Sequence, residues 1–317
     1  MKPLLQDPNR PRLIEVDAEA VGQRIDNFLF ARLKGVPKSH VYRILRTGQV
    51  RINGSRSKAR QRLNEGDVIR VPPLRLAEAP AAEVPGPWLR DRLENRILYE
   101  DEDLLVVNKP AGMAVHGGSG LRFGVIEGLR AAREEARFLE LVHRLDRDTS
   151  GCLLIAKRRS ALRQLHEQFR GEGVDKTYLA LFSGVWARRR QVVDAPLLKN
   201  VLQSGERMVK ISSEGKAAIT EFRRLEPLSG ATLVEAKPVT GRTHQIRVHA
   251  RSLGHPLAGD ERYGDPSLNQ AFRQRGLKRL FLHAATLVFI HPRSGREVRV
   301  EAPLEQDLHD FLSAVRR

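Results

Sequence analysis

The stretch His143-Arg-Leu-Asp-Arg-Asp-Thr-Ser-Gly151, followed directly by the apolar run Cys152-Leu-Leu-Ile-Ala156, decides how the rest of the chain is interpreted. Three basic and two acidic side chains surround a turn of small residues that precedes a predicted buried strand. Loops held by a rigid strand are a frequent place for reactive groups. Asp146 lies between Arg144 and Arg147, and nearby cations favour the ionised carboxylate that a nucleophile needs. Taken alone, the composition favours a simpler interpretation, an ordinary turn whose polar side chains bond to local backbone.

The chain has 317 residues, with 55 Lys or Arg and 38 Asp or Glu, so its formal charge is +17. Hydrophobic residues make up 41% and charged residues 29%, a mix that is typical of a globular protein and not of a disordered or collagen-like chain. The length predicts two domains, each large enough to bury a core. The positive charge indicates a polyanionic partner, either nucleic acid or an anionic membrane surface.

The single cysteine, Cys152, excludes an internal disulfide framework and any zinc site built on cysteines. No uninterrupted apolar run reaches the roughly 20 residues that a spanning helix needs. Residues 1–8 also lack the apolar core of a signal peptide. We therefore expect a cytoplasmic protein with no membrane partner, and nothing in the sequence demands more than a monomer.

Residues 22–72 form a compact basic segment behind an irregular lead-in at residues 1–21. The segment holds twelve Lys or Arg and three Asp or Glu, a net charge of +9, while the rest of the chain carries +8. Two short helices are predicted, the second with Ser39 as its N-cap, followed by small strands and a tight turn at Asn53-Gly54. The candidate RNA-binding residues, which lie mainly off the apolar faces, are Lys38, Arg43, Arg46 and Arg51. This arrangement resembles the S4-type RNA-binding domain.

Prolines dominate residues 73–93, which we interpret as a linker without regular helix or strand. From residue 94 to residue 317, strands often follow one another without a helix between them. This order predicts a mixed, largely antiparallel sheet with flanking helices, and so an α+β fold. Residues 243–253 are predicted to form one of the helices, with Ile246, Ala250 and Leu253 on one face.

A second polar segment, Gly241-Arg-Thr-His-Gln-Ile-Arg-Val-His249, lies at the start of that helix. A stripe of donors without acidic partners suits an anion or a carboxylate, although a solvated helix face explains the same pattern. Zinc is disfavoured because His244 and His249 are five positions apart, which does not align them on one helical face. We therefore expect no metal site here.

Residues 143–146 followed by residues 149–151 resemble the central motif of the RluA-type pseudouridine synthases. Further segments match the family in the family's order: Asn108-Lys-Pro-Ala-Gly112, Lys176-Thr-Tyr178, residues 241–249 and Leu282-His-Ala284. The resemblance covers nearly everything between residues 22 and 303. It implies an enzyme that isomerises uridine in ribosomal RNA of the large subunit to pseudouridine, moving the glycosidic link from N1 to C5 without a cofactor.

The resemblance also implies roles for single residues. Asp146 matches the catalytic aspartate, Arg247 the arginine that pairs with it, and Tyr178 the aromatic residue that stacks on the target base. Leu282 matches the apolar residue that closes on the base from the other side. Arg144 matches a residue that contacts RNA where the base leaves its stack.

His143 and Arg242, polar residues of the two central motifs, are further candidate substrate-binding residues.

Two other functions also fit the sequence. A metal-dependent nuclease would place Mg²⁺ on Asp146 and Asp148, and would lose activity in excess chelator. A non-catalytic RNA-binding or ribosome-assembly protein would tolerate the exchange Asp146→Asn.

Overall fold

The structure is a computed structural model that describes residues 10–33, 36–74, 86–117, 123–133, 135–136, 138–171, 173–201 and 207–316. The chain divides into two compact units, Met1–Val84 and Pro85–Arg317. The division lies within the predicted linker, of which residues 75–85 are outside the described ranges. Within those ranges, every helix is too short or too polar to cross a bilayer.

The first unit is a small sheet with two helices. Its elements are β1 (Arg12–Glu15), a 3₁₀ turn (Ala18–Ala20), α1 (Ile25–Arg32), α2 (Lys38–Arg46), β2 (Arg51–Ile52), β3 (Ser55–Arg56) and β4 (Val68–Val71). The strands pair antiparallel in the order β1-β4-β2-β3. Asn53 and Gly54 both have positive φ, as the predicted two-residue turn requires. The prediction of Ser39 as an N-cap is wrong, because α2 begins at Lys38, so Pro37 is the N-cap and Ser39 lies within the first turn.

Apolar faces of the two helices meet in one core. Its buried members on these helices are Ile25, Phe28, Leu29, Val41, Ile44 and Leu45. Their spacing at intervals of three and four positions places them on one side of each helix. The basic residues of α2 are consequently left on the outside of this unit.

The second unit is built on a large sheet. Its strands are β5 (Ile97–Glu100), β6 (Leu104–Lys109), β7 (Glu140–Leu141), β8 (Ser150–Ala156), β9 (Val174–Ser183), β10 (Arg190–Asp194), β11 (Leu197–Val201), β12 (Arg207–Ile211), β13 (Ile219–Leu228), β14 (Ala231–Pro238), β15 (Leu282–Ile290) and β16 (Glu297–Glu301). Its helices are α3 (Pro87–Glu94), α4 (Val125–Ala132), α5 (Arg159–Arg170), α6 (Gln245–Ser252), α7 (Pro266–Gln274) and α8 (Gln306–Val315).

Ten strands form a mixed sheet in the order β10-β13-β14-β9-β15-β8-β6-β5, with β16 paired to β15 and β7 to β8. The pair β8–β15 is parallel, and the other pairs among the described strands are antiparallel. Strands β11 and β12 form a separate hairpin. The predicted α+β class with a mixed, largely antiparallel sheet is confirmed.

Helices cover both faces of the sheet. Helices α3 and α4 pack on one face of β6 and β8, while α5 packs on the opposite face. Both strands are buried along their whole length, which explains why the runs at residues 104–107 and 152–156 are continuously apolar rather than alternating. The loop before β8 is therefore attached to a rigid strand inside the sheet.

Two predictions about local structure need correction. The end of the predicted linker forms α3, which begins with Pro87. A proline is tolerated there because the N–H groups of the first helical turn make no hydrogen bonds within the helix. Helix α6 begins at Gln245 rather than residue 243, because His244 has a left-handed backbone with φ 53°. The segment before it is therefore an irregular turn.

Gly151 fixes the contact between β8 and β15. Its φ is +110°, and a Cβ at this position would lie 2.2 Å from the carbonyl oxygen of Ala284. Any other side chain would therefore force the two parallel strands apart. This close approach places the loop at residues 143–149 beside the start of β15, where Leu282 lies.

Candidate active site

Asp146 lies in the loop between β7 and β8. The amide N–H of Thr149 donates to the Asp146 carbonyl oxygen at 3.2 Å, which closes the turn. Lys109, fully buried at the end of β6, donates from Nζ to the carbonyl oxygens of Pro110, Met113 and Arg147 at 2.8–2.9 Å. Its ammonium group thus ties this loop to the segment after β6.

Burial lowers the pKa of Lys109 to about 7, although the nearby carboxylates of Asp148, Glu305 and Asp146 oppose that shift. The three carbonyl oxygens satisfy the three donors of the charged ammonium. A buried charge is tolerated only with such partners. Lys109 is therefore a structural support of the loop that carries Asp146.

Two side-chain nitrogens face the same oxygen of Asp146. Arg247 Nη1 lies 3.4 Å from Asp146 Oδ2, and His244 Nε2 lies 3.8 Å from it. The Asp146 side chain keeps 20% exposure, whereas that of Arg247 keeps 8%. The carboxylate is therefore oriented from the interior and open on its other side. The predicted partners Asp146 and Arg247, 101 positions apart in sequence, are brought together.

The stronger partner of Arg247 is Asp260, which the sequence analysis did not identify. Arg247 Nε donates to Asp260 Oδ2 at 2.8 Å, and Nη2 donates to Oδ1 at 2.7 Å. The Asp260 side chain is fully buried, and Oδ1 also accepts the N–H groups of Arg262 and Tyr263 at 3.0 Å. The Tyr263 ring lies 5.0 Å from the guanidinium carbon of Arg247. Arg247 is thus fixed by a bidentate ion pair and an aromatic face.

The pKa values of this pair follow from burial and pairing. Burial alone would lower the pKa of Arg247. The hydrogen bonds and charge of Asp260, and the charge of Asp146, outweigh burial and raise the pKa of the guanidinium above its ordinary value. Burial likewise opposes the charge of Asp260, but Arg247 and the backbone N–H groups keep the pKa of this carboxyl low. Both groups are therefore charged at neutral pH.

Gln245 holds the start of α6 in place. Its buried side chain accepts from the Arg242 N–H and the Thr240 hydroxyl, at 3.0 and 2.7 Å. Its amide nitrogen donates to the Ile219 carbonyl oxygen and the Thr220 hydroxyl of β13, at 2.8 and 2.9 Å. The first turn of α6, which carries Arg247, is thereby fixed to the sheet.

Two clefts meet at Asp146. The first encloses about 570 Å³, and its apolar lining includes Leu141, Phe169, Tyr178, Ile246 and Leu282. The second encloses about 650 Å³, and its basic lining includes Arg144, Arg147, Arg262, Lys278 and Arg279. Arg144, Asp146, His244 and Arg247 border both clefts. A group bound in either cleft can therefore reach the carboxylate.

The predicted wall residues both line the apolar cleft. Tyr178, on β9, is partly buried, and Leu282, at the start of β15, is buried. Burial, and then the charge of Asp146, raise the pKa of the Tyr178 phenol, which is therefore neutral at physiological pH. The antiparallel pairing of β9 with β15 brings the two residues to the same cleft.

The other predicted site residues differ in their exposure and in their hydrogen bonds. Arg144 is exposed where the two clefts meet, and Arg242 is exposed with its Nε donating to the Ala217 carbonyl oxygen at 3.0 Å. His143 lines the apolar cleft, but its Nε2 accepts the Leu154 N–H at 3.0 Å. Its ring also stacks on Phe169. One ring nitrogen of His143 thus already has a structural role.

The four candidate RNA-binding residues share an exposed position in the first unit. Lys38, Arg43 and Arg46 lie on α2, and Arg51 lies on β2. Arg43 contacts His40 and Arg51 contacts the Gly54 carbonyl oxygen, both at 3.2 Å. Neither contact is with a carboxylate, so neither pairs the positive charge with a negative one.

A cluster with metal-ligand chemistry lies away from Asp146. In the described part of the chain, the three ligand-type side chains that approach one another are Asp101, Asp103 and His291. Asp103 is already paired with Arg293 at 2.7 Å, and His291 Nε2 lies 2.8 Å from Asp101 Oδ2. Asp148, the second acid of the nuclease hypothesis, is paired with Arg147 at 3.1 Å. These contacts compete with any metal ion.

Two protein-family models match the chain. Residues 103–252 match the family model described as RNA pseudouridylate synthase, and residues 23–69 match the S4 domain. The chain is similar to "Ribosomal large subunit pseudouridine synthase C" of Yersinia pestis, with 59% identity over 96% of both chains. It is similar to the protein of that name in Escherichia coli K12, with 57% identity over 96% of this chain and 97% of the relative.

Solved structures agree with these matches. "Human RNA Pseudouridylate Synthase Domain Containing 4" superposes with a TM-score of 0.60 at 28% identity, covering 72% of this chain and 96% of that one. "Human RNA Pseudouridylate Synthase Domain Containing 1" gives 0.56 at 29% identity, covering 74% and 98%. The chain belongs to the RNA pseudouridylate synthase family, and it carries an S4 domain ahead of its synthase domain.

Proposed function

We propose that the chain converts uridines of large-subunit ribosomal RNA to pseudouridine, with Asp146 as the catalytic group. One observation carries the proposal: among the described residues that border both the apolar and the basic cleft, the one carboxylate is that of Asp146, and a buried arginine orients it. A nucleotide has the same two-part character, since its base is flat and largely apolar on its faces and its ribose phosphate is anionic. The glycosidic bond joins these two parts.

The target uridine enters the site after it leaves its stack. Flipping a base costs a few kcal/mol, which contacts to aromatic and apolar walls and to basic groups offset. Tyr178 offers an aromatic face and Leu282 an apolar surface in the same cleft. Arg144, exposed at the border of the two clefts, is suited to contact the RNA where the base has departed.

Asp146 acts at the sugar. With the base in the apolar cleft and the ribose phosphate in the basic cleft, the carboxylate faces the link between them. A carboxylate can serve as nucleophile or as base, and both roles need a fixed orientation. Arg247, itself held by Asp260, supplies that orientation. The C1′–N1 bond then breaks, the base turns within the cleft, and a C1′–C5 bond forms, while the proton lost from C5 is balanced by the proton that N1 gains, with no cofactor.

The first unit supplies RNA affinity rather than chemistry. Its exposed residues Lys38, Arg43, Arg46 and Arg51 would neutralise backbone phosphates in a salt-dependent manner. The ribosomal assignment is supported by the names of relatives at 57–59% identity. We take the chain to act as a monomer in the cytoplasm, where its proposed ribosomal substrate is made.

The test uses large-subunit ribosomal RNA transcribed in vitro, which carries no modifications. Purified full-length protein should form pseudouridine at specific positions, and excess chelator should leave the rate unchanged. Cleaved RNA that is protected by chelator would instead indicate a nuclease. Tight RNA binding without pseudouridine formation would indicate a non-catalytic RNA-binding protein, and either outcome would overturn the proposal.

A further inference from the structure

His244 occupies a position that the mechanism above does not use. Its side chain is 12% exposed, its Nε2 lies 3.8 Å from Asp146 Oδ2, and its Nδ1 lies 2.7 Å from the hydroxyl oxygen of Tyr263. Its backbone is left-handed, with φ 53°, which is an uncommon conformation for a residue other than glycine. Such strain at a site beside Asp146 points to a functional reason for the side chain's placement.

The hydrogen bonds of Tyr263 decide which nitrogen of His244 carries the proton. The buried N–H of Val209, on β12, donates to the Tyr263 hydroxyl oxygen at 3.0 Å. An amide N–H is always a donor, so the hydroxyl oxygen is an acceptor in that bond. The hydroxyl proton is then available for His244 Nδ1, whose lone pair can accept it. In a neutral imidazole the other nitrogen, Nε2, consequently carries the hydrogen.

We infer that Tyr263 holds His244 as the tautomer protonated at Nε2, and that His244 is a positioning residue that donates to Asp146. The inference rests on the proposed function of Asp146. Arg247 and His244 both approach Oδ2, so the two side chains act on the same oxygen of the carboxylate. The 3.8 Å separation exceeds a hydrogen bond, and such contacts commonly shorten when a substrate binds.

The charged groups around the ring agree with a neutral imidazole. Burial lowers the pKa of His244, and the positive charges of Arg247 and Arg262 lower it further. The carboxylates of Asp146 and Asp260 oppose this shift without reversing it. Protonation of Nδ1 would also remove the acceptor of the Tyr263 hydroxyl proton. The ring is therefore neutral at physiological pH, and its Nε2–H faces Asp146.

Two amide substitutions separate the donor from the shape of the side chain. In His244→Gln the amide reaches the position of Nε2 and keeps a donor for Asp146, whereas in His244→Asn the shorter amide reaches only the position of Nδ1. Asparagine tolerates a left-handed backbone better than glutamine. If only folding mattered, His244→Asn would therefore be the more active variant. If the donor to Asp146 matters, His244→Asn is the less active one.

Single-turnover rates and RNA affinity are measured for both variants, with Asp146→Asn as the inactive reference. His244→Asn should lower the rate by up to about 100-fold with RNA affinity unchanged, and His244→Gln should lose distinctly less. Equal losses in the two variants, or a larger loss in His244→Gln, would overturn the inference. If wild-type protein is active and Asp146→Asn is not, the proposed function stands in either case.

The tautomer has a direct readout. In wild-type protein labelled with ¹⁵N-histidine, His244 should show an unprotonated Nδ1 and a protonated Nε2 at neutral pH. Tyr263→Phe removes the hydroxyl, which frees Nδ1 to hold the proton and turns a lone pair toward Asp146. Its rate relative to wild type should then recover as the pH falls and the ring takes a second proton. A wild-type ring protonated at Nδ1 would contradict the inference.

Discussion

Arg247 gives its two strongest hydrogen bonds to Asp260 and reaches Asp146 only with its remaining Nη1, at 3.4 Å. The arginine is therefore anchored by one carboxylate and oriented toward another. Because Asp260 is buried and bound by two backbone N–H groups, the anchor is rigid, and Asp146 is the member of the set that is left open to a ligand. Preorganised charges of this kind need no rearrangement when the reaction occurs.

Replacing the anchor should release Arg247. In Asp260→Asn the amide oxygen can still accept from the N–H groups of Arg262 and Tyr263. The amide NH₂ then faces Arg247 Nε, and the guanidinium loses the negative charge that pairs with it. We expect unfolding to become easier by about 3 kcal/mol and turnover to fall. Thermal unfolding and single-turnover rates measure both effects. Asp310→Asn, the same change at an exposed position of α8, should do neither. Wild-type turnover in Asp260→Asn would remove Asp260 from the site.

The face of Tyr178, rather than its hydroxyl, should hold the base. Stacking of a base on an aromatic ring is worth about 1–3 kcal/mol by alanine substitution. Tyr178→Ala should therefore weaken productive binding by that amount, and Tyr178→Phe should keep most of it. The ratio kcat/KM on substrate RNA measures both. If Tyr178→Phe falls as far as Tyr178→Ala, the hydroxyl has a chemical role and the wall assignment fails.

The basic face of the first unit should account for part of the salt dependence of RNA binding. The quadruple variant with Lys38, Arg43, Arg46 and Arg51 changed to Gln should bind more weakly. Its plot of log affinity against log salt should also be flatter, by about 0.7 to 0.9 for each phosphate that the variant no longer neutralises. The control carries the same reduction of charge at exposed residues of the second unit: Arg273, Arg296, Arg299 and Arg316. Equal slopes in the two variants would show that this face does not hold RNA.

His143 should contribute to the loss of stability in acid. Burial, and then the charge of Lys176, lower the pKa of His143 from 6.5 to about 3. Below about pH 6.5 the unfolded chain binds a proton that the folded one does not, so stability is full above this pH and falls until about pH 3. His143→Gln keeps an acceptor for the Leu154 N–H but does not titrate.

Denaturant unfolding between about pH 7 and about pH 3.5 measures this effect. Wild type should lose more stability than His143→Gln across the range, by at most about 1.4 kcal/mol per pH unit. His309→Gln, at an exposed position of α8, should follow wild type. Parallel curves for wild type and His143→Gln would show that His143 is not held neutral by the fold.

Local patterns predicted much of this fold. The apolar spacing of α1 and α2, the Asn53-Gly54 turn and the continuously apolar strand β8 all follow from short-range rules. Strand β13 escaped prediction because it carries several charged residues and Pro227, and its burial is partial. Helix α3 was missed because a proline breaks a helix only after the first turn.

The site was predictable in part, and for a different reason. Nothing local links Asp146 with Arg247, 101 positions away, and only the resemblance to a family with ordered motifs suggested the pair. Asp260 lies outside those motifs, in a polar run that looks like an exposed turn, and its burial depends on tertiary packing. His244 was noted only as one donor in a polar segment, because its left-handed backbone and its bond to Tyr263 cannot be derived from spacing.

The central claim is that Asp146 is the group that performs the isomerisation, and one comparison tests it most directly. Pseudouridine formation in unmodified large-subunit ribosomal RNA is measured under single-turnover conditions for wild type, Asp146→Asn and Asp148→Asn, with RNA affinity measured in parallel. We predict that Asp146→Asn binds RNA like wild type but is slower by about 1,000-fold or more, while Asp148→Asn keeps most activity. Pseudouridine formation by Asp146→Asn at the wild-type rate would contradict the account.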